Sequence, residues 1–288
     1  MKKTLAMMTA AVMVAGALSG CGSSSSTPAA TTAAATEAAT TEAAGDTAAA
    51  AEGTVKTPSG KFTVGFDQEF PPMGFVGDDG QFTGFDLELA KEVASRLGLE
   101  FVPQPINWDA KDMELDSGNI DCIWNGFTMQ GREDDYTWVG PYMANNQVFV
   151  VTADSDIASK ADLAGKAVEV QKDSSGLAAL QGEAELSASF GSMTEVADYN
   201  TALMDLESGA CDAVCMDSIV AGYQIKSSGK DMKILDDTLA AEEYGIGFKK
   251  GEDELAKAVY DTLMAMKDDG TVAKISNDWF GSDVFTLK

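Results

Sequence analysis

The sequence predicts an α/β protein of two similar lobes, each a mostly parallel sheet flanked by helices, carried behind a secretory leader and a flexible tether. Three observations predict it. Strand-like and helix-like segments alternate from Lys61 onward, the succession that builds a parallel sheet covered on both faces. A nine-residue motif occurs twice, as Met113-Glu-Leu-Asp-Ser-Gly-Asn-Ile-Asp121 and Met204-Asp-Leu-Glu-Ser-Gly-Ala-Cys-Asp212, each time where a helix gives way to a strand. The composition before residue 59 differs sharply from that after it.

The leader comes first. Lys2 and Lys3 precede an apolar run from Leu5 to Leu18, and Leu18-Ser19-Gly20-Cys21 follows. A basic start, a short apolar stretch and small residues before a cleavage point mark a secretory signal, and the run is too short to span a bilayer. Residues 1–20 are therefore expected to be a signal peptide. The junction resembles the bacterial lipobox, which makes Cys21 the expected lipidation site and the first residue of the mature chain; the alternative is an ordinary cleaved signal with an incidental cysteine. Residues 21–58 are rich in Ala, Thr, Ser, Gly and Glu and hold no aromatic residue. Such a segment cannot bury enough apolar surface to offset the entropy of ordering it, so a tether is expected. A coil of about 36 residues has an r.m.s. reach of roughly 30 to 36 Å, enough to hold a body clear of lipid headgroups.

Charge and composition exclude several function classes. Losing Lys2 and Lys3 with the leader takes the formal charge from −26 further down, and a body this acidic repels nucleic acid. The chain has no histidine, which removes Ser-His-Asp and Cys-His nucleophile systems and His-containing zinc or haem sites. No cofactor and no metal is expected. Beyond Cys21 only Cys122, Cys211 and Cys215 remain; the last two, at opposite ends of a strand, would lie roughly 13 Å apart when extended, beyond disulfide reach. All three read as buried apolar residues.

Within the body, Lys61 to Phe66 reads as a strand. Phe85, Leu89, Val93 and Leu97 then recur every four residues, with Asp86 and Glu88 early and Arg96 late, the pattern of an amphipathic helix closed by Gly98. Leu99 to Val102 reads as the next strand. In the two repeats, Gly118 and Gly209 suit the left-handed residue that closes a helix, and strands follow at Cys122 to Trp124 and Ala213 to Met216. Asp253 to Asp269 places Leu255, Val259, Leu263 and Met266 on one helical face, a packing face, and Thr271 to Trp279 makes a last short helix.

Val64-Gly-Phe-Asp-Gln-Glu-Phe-Pro-Pro-Met73, followed by Gly84-Phe-Asp-Leu-Glu-Leu-Ala90, resembles the opening of the family 3 extracellular solute-binding proteins, the polar amino-acid receptors of ABC importers. The resemblance runs from about Lys61 to Phe280. It implies a two-lobed type II periplasmic-binding-protein fold with two hinge crossings, near Asn145 to Phe149 and near Ala241 to Gly245. Lobe 1 is then expected over 59–145 plus 245–288, and lobe 2 over 146–244.

Ligands of open α/β sheets bind beyond the carboxyl ends of the strands. A free amino acid needs a partner for its carboxylate, a partner for its ammonium group and a surface for its side chain. Arg132 is the expected carboxylate partner, because a guanidinium grips a carboxylate through two parallel hydrogen bonds and the other arginine, Arg96, lies on the polar side of a helix. Family members place this arginine five residues after the Ser or Thr equivalent to Thr128; here the interval is four, and a surface ion pair with Glu133 or Asp134 is the alternative. Asp173-Ser174-Ser175-Gly176 opens a helix after the strand Ala167 to Gln171, so exposed N–H groups with the Ser174 and Ser175 hydroxyls form an anion site, whether or not Asp173 or Ser174 also caps the helix. Asp217 stands where the family carries its amine-binding acid; capping the helix that begins near Ser218 is its alternative. Thr128 and a carbonyl near Gly126 would supply further acceptors. Phe70 and Trp108 match aromatic positions that sandwich the ligand side chain, though aromatics are often plain core, and Trp124 reads either way. Asp67 matches the position that meets the ligand's far end. Asn125 and Gln171, at the same strand ends, complete the candidate set.

The resemblance implies a monomer anchored outside the cytoplasm, a small-molecule amino acid as ligand, and docking of the closed lobes on ABC permease subunits. One rival is a secreted dehydratase-like enzyme on the same scaffold, with Glu69 as general acid. A signalling ectodomain is the other, and would require a following transmembrane helix.

Overall fold

A computed structural model of the chain describes Thr57 and residues 59–288. The expected leader, Cys21 and all of the expected tether except Thr57 lie outside the described residues. Thr57 itself is buried, and its hydroxyl donates to the Lys61 carbonyl at 2.6 Å.

In chain order the elements are β1 (Lys61–Phe66), β2 (Glu69–Phe70), β3 (Gly74–Val76), β4 (Phe82–Thr83), α1 (Phe85–Leu97), β5 (Glu100–Pro105), α2 (Lys111–Ser117), β6 (Cys122–Thr128) and β7 (Tyr136–Thr152). Next come β8 (Ala167–Gln171), α3 (Ser175–Gly182), α4 (Ala184–Ser189), β9 (Ser192–Val196), α5 (Tyr199–Ser208), β10 (Ala213–Asp217), α6 (Ser218–Ser228), β11 (Met232–Lys249), α7 (Asp253–Asp268) and α8 (Thr271–Phe280). The main sheet runs β5-β1-β6-β11-β7-β10-β8-β9, and β2, β3 and β4 form a small separate sheet. Parallel pairing of β1 with β5 and β6 builds one lobe, and parallel pairing of β8 with β9 and β10 builds the other. Two long antiparallel strands, β7 and β11, join them. Where the chain passes between lobes the two strands face each other as Ala144↔Glu243, Asn145↔Glu242 and Asn146↔Ala241. The register shifts on both sides of that stretch, so each lobe keeps its own twist.

Periodicity explains the helices. Phe85, Leu89 and Val93 of α1 and Leu255, Val259, Leu263 and Met266 of α7 are buried in one shared core with Phe62, Val64 and Phe66 of β1. A second core lies beneath α3, with Leu177 and Leu180 against Phe149, Val168, Val170 and Cys215. Gly98, Gly118 and Gly209 each close a helix in the left-handed region, at φ of 70°, 75° and 77°, where a side chain would be strained. β5 starts one residue later than the sequence suggests, and β6 continues past Trp124 to Thr128 because β11 offers it partners there, Phe127↔Gly245 and Thr128↔Tyr244. The three cysteines beyond the tether are free and buried. Burial pushes the thiols of Cys122 and Cys215 up, and that of Cys211 up to about 12.

Candidate functional site

Where β6, β8 and β10 end, a cavity opens between the lobes. It is lined by nine residues, and every one belongs to the candidate set. Phe70, Trp108, Gly126, Thr128 and Arg132 come from one lobe; Gln171, Ser174, Ser175 and Asp217 come from the other. The cavity encloses about 230 Å³.

Arg132 follows a tight turn, its backbone N–H donating to the Met129 carbonyl at 3.0 Å. The guanidinium donates to the Thr128 carbonyl at 3.1 Å and lies 5.0 Å from the centre of the Phe127 ring. It makes no ion pair among the described residues, whereas Arg96 is bound to Glu92 and Asp269. The surface pairs with Glu133 or Asp134 do not form, and the shortened spacing from Thr128 still delivers Arg132 to the cavity wall.

Opposite it, Ser174 caps α3 by accepting from the Leu177 N–H at 3.1 Å. The hydroxyl of Ser175 lies 3.2 Å from that of Thr128, across the lobes. Asp217 stands at the cap position of α6 but makes no side-chain capping bond. Asn145 Oδ1 does that work, accepting from Ser218 Oγ at 3.1 Å and the Ile219 N–H at 3.4 Å. The Asp217 carboxylate is left to accept from Asn145 Nδ2 at 2.6 Å, Tyr244 at 2.7 Å and Tyr199 at 3.1 Å. Burial first, and the neighbouring Glu242 second, raise its pKa to about 7.

Gly126 sits at φ of 59°, and an added Cβ would come within 3.0 Å of Phe70 and 3.1 Å of Tyr244; only glycine fits. Its N–H donates at 2.7 Å to Asp86, a fully buried acid that also accepts from Tyr142 at 2.7 Å and whose pKa burial raises to about 7. Phe70 tilts against Tyr199 at 5.8 Å, and Trp108 meets Phe127 edge-on at 5.5 Å. Trp124 is fully buried, packed on Tyr142 at 6.3 Å, and is core.

Asp67 and Asn125 stand behind the cavity rather than on its wall. Asn125 Oδ1 accepts the Asp67 N–H at 3.0 Å. The Asp67 carboxylate accepts from Gln171 Nε2 at 2.7 Å, across the lobes, and burial raises its pKa to about 6. Glu69 bonds to Asn200 and faces an outer groove of about 500 Å³ instead of the cavity.

Several residues that hold the site together carry no sequence signal. Lys111 is almost fully buried, lies 5.3 Å from the centre of the Trp108 ring and pairs with Asp173 of the opposite lobe. Beside it Lys172 reaches back to Asp109 at 2.6 Å. Glu242 lies behind Thr128, accepting from Thr128 Oγ1 at 2.9 Å and from Asn145 and Gln147 at 3.1 Å each.

A model of bacterial extracellular solute-binding proteins, family 3, matches residues 62–282. The L-cystine-binding protein TcyJ of Escherichia coli (strain K12) is 32% identical over 231 residues, covering 78% of this chain and 84% of that protein. The L-cystine-binding protein TcyA of Bacillus subtilis (strain 168) is 32% identical over 229 residues, with 78% and 83% covered. Among solved structures, an ABC uptake transporter substrate binding protein from Streptococcus pneumoniae with bound histidine superposes with a TM-score of 0.77 at 34% identity, over 80% of this chain and 96% of that one. An ancestral arginine-binding protein bound to arginine gives a TM-score of 0.72 at 35% identity, over 77% and 99%.

Proposed function

We propose that this chain, which belongs to the bacterial extracellular solute-binding proteins of family 3, captures a polar or cationic L-α-amino acid for an ABC importer by closing its lobes around it. One observation carries the reading: a single cavity is lined by Arg132 from one lobe and Asp217 from the other, a cation and an anion placed to grip the two ends of a zwitterion. The lobes are assigned as 59–145 plus 245–288 and 146–244. Only the closed form satisfies both ends, so ligand shifts a hinge equilibrium toward closure. Phe70 and Trp108 flank the ligand side chain, and its tip points toward Asp67 and Gln171. An acidic side chain would meet the Asp67 carboxylate and be repelled. An aliphatic one would bring no hydrogen bond to that polar end of the cavity.

A thermal-shift screen with all twenty amino acids and L-cystine tests this. Stabilisation by arginine, lysine, histidine, glutamine or cystine is expected; stabilisation chiefly by glutamate, or by leucine, isoleucine and valine, would refute the assignment. Cys21 is proposed to carry the lipid that keeps the receptor near its permease. Metabolic labelling with a fatty-acid probe should be lost in Cys21→Ser, and equal labelling of both proteins would exclude the anchor.

A further inference from the structure

Glu242 belongs to none of the candidate groups, yet it is the most heavily bonded carboxylate of the hinge. It is buried, as is Asp217, and Asn145 Nδ2 stands between the two, 2.6 Å from Asp217 and 3.1 Å from Glu242. The other donors around them are neutral: Thr128, Gln147 and Ser175 on Glu242, Tyr199 and Tyr244 on Asp217. Burial holds both phenols well above their ordinary pKa, and the Cys215 thiol likewise, so none of these adds or removes charge near neutrality. Arg132 is the one cation lining the same cavity, and it pairs with neither acid. Asp86, behind Gly126, adds a further buried acid on the far side. An acid held out of water beside a second carboxylate, with no cation paired to it, resists losing its proton, and Asp217 is raised for these two reasons.

We propose that Asp217, with Glu242 beside it, holds a proton in the free site, and that the ammonium group of an incoming amino acid displaces that proton to solvent. This rests on the proposed placement of the ammonium group at Asp217. The ligand then supplies the positive charge the pair lacks, and capture becomes proton-linked. A raised carboxyl pKa in the free site means that binding favours the form present at higher pH. Affinity therefore weakens as pH falls below the Asp217 midpoint, approaching tenfold per pH unit. Glu242 would act as a positioning and selectivity residue: it makes the pocket's acid end demand a cationic head group rather than a neutral amide or hydroxyl.

The test is calorimetric titration of the full chain with L-arginine, L-glutamine and L-cystine, each in buffers of different ionisation enthalpy. Near neutrality the wild type should release part of a proton per ligand, and the fraction should shrink as the pH is raised. Glu242→Gln should release less than the wild type at the same pH, because the second of the two causes that raise Asp217 is gone, whereas Asp67→Asn should still release the proton when glutamine binds. Binding by the wild type without release overturns the inference. Should none of the three ligands bind, the functional reading fails instead, and the Asp217 proton is read in the ligand-free protein by carbon-13 carboxyl NMR. There the Asp217 signal should titrate at lower pH in Glu242→Gln than in the wild type. Identical titration in the two proteins overturns the inference.

Discussion

The two repeats build the same junction and then diverge. In one lobe Asp121 accepts the Thr63 N–H at 2.6 Å and donates its own N–H to the Thr63 carbonyl at 2.8 Å. In the other, Asp212 does the same with Ala167, at 2.8 Å both ways. Each Asp so ties the strand it precedes to the start of a parallel neighbour, β1 or β8. Met113 and Met204, which open the repeats, are exposed alike at 65% and 64%, so the repeat serves the scaffold and not the ligand. Even the sheet order is matched, β5-β1-β6-β11 against β9-β8-β10-β7. Only past the strand ends do the lobes part in chemistry. β6 leads through Thr128 to Arg132, while β10 stops at Asp217. One architecture used twice, with opposite charges at its two mouths, is what the proposed clamp on a carboxylate and an ammonium group rests on.

The largest expected effect breaks that opposition. Arg132→Ala should weaken amino-acid binding by roughly 2 to 5 kcal/mol, because it removes a charge-assisted contact from a partly desolvated site. The fold should survive, since the side chain's own contacts are a carbonyl and a ring face. Calorimetric titration showing unchanged affinity would move the carboxylate site elsewhere. A smaller pair of changes sharpens the likeness instead. Gly118→Ala and Gly209→Ala each place a Cβ on a left-handed residue with open space around it, so only backbone strain is added. Each should cost about 1 kcal/mol in urea unfolding, and the two costs should agree. A wide disparity would show that the junctions are not equivalent.

How much of this was legible in the sequence follows from the range of the interactions concerned. The four-residue recurrence from Phe85 to Leu97 and the Ser-Gly closures are local, and α1, Gly118 and Gly209 stand where they were expected. Strand-end positions are local too and point to Thr128, Gln171, Ser174 and Ser175, while Phe70, Trp108 and Asp217 come from the family resemblance and Arg132 from guanidinium chemistry beside it. Glu242 could not be named beforehand. In Ala240-Ala-Glu-Glu-Tyr244 it reads as one of two solvated acids, and Glu243 is indeed exposed; only the pairing of Glu242 opposite Asn145 turns it inward. Lys111 is hidden by Trp108 beside it and by Asp173 some sixty residues away, a contact between lobes that no local pattern records. Asp86 reads as an ordinary first-turn acid of α1 and instead bonds to Gly126 and Tyr142 beneath the cavity.

The opposed mouths can be tested most directly with trimmed ligands. The tightest-binding amino acid is titrated beside its decarboxylated amine and its deaminated acid, into the wild type, Arg132→Ala and Asp217→Asn. Once the carboxylate is gone from the ligand, Arg132→Ala should bind as the wild type does, and once the ammonium group is gone, Asp217→Asn should do so. If Arg132→Ala still weakens the amine, or Asp217→Asn still weakens the acid, the two lobes do not grip opposite ends.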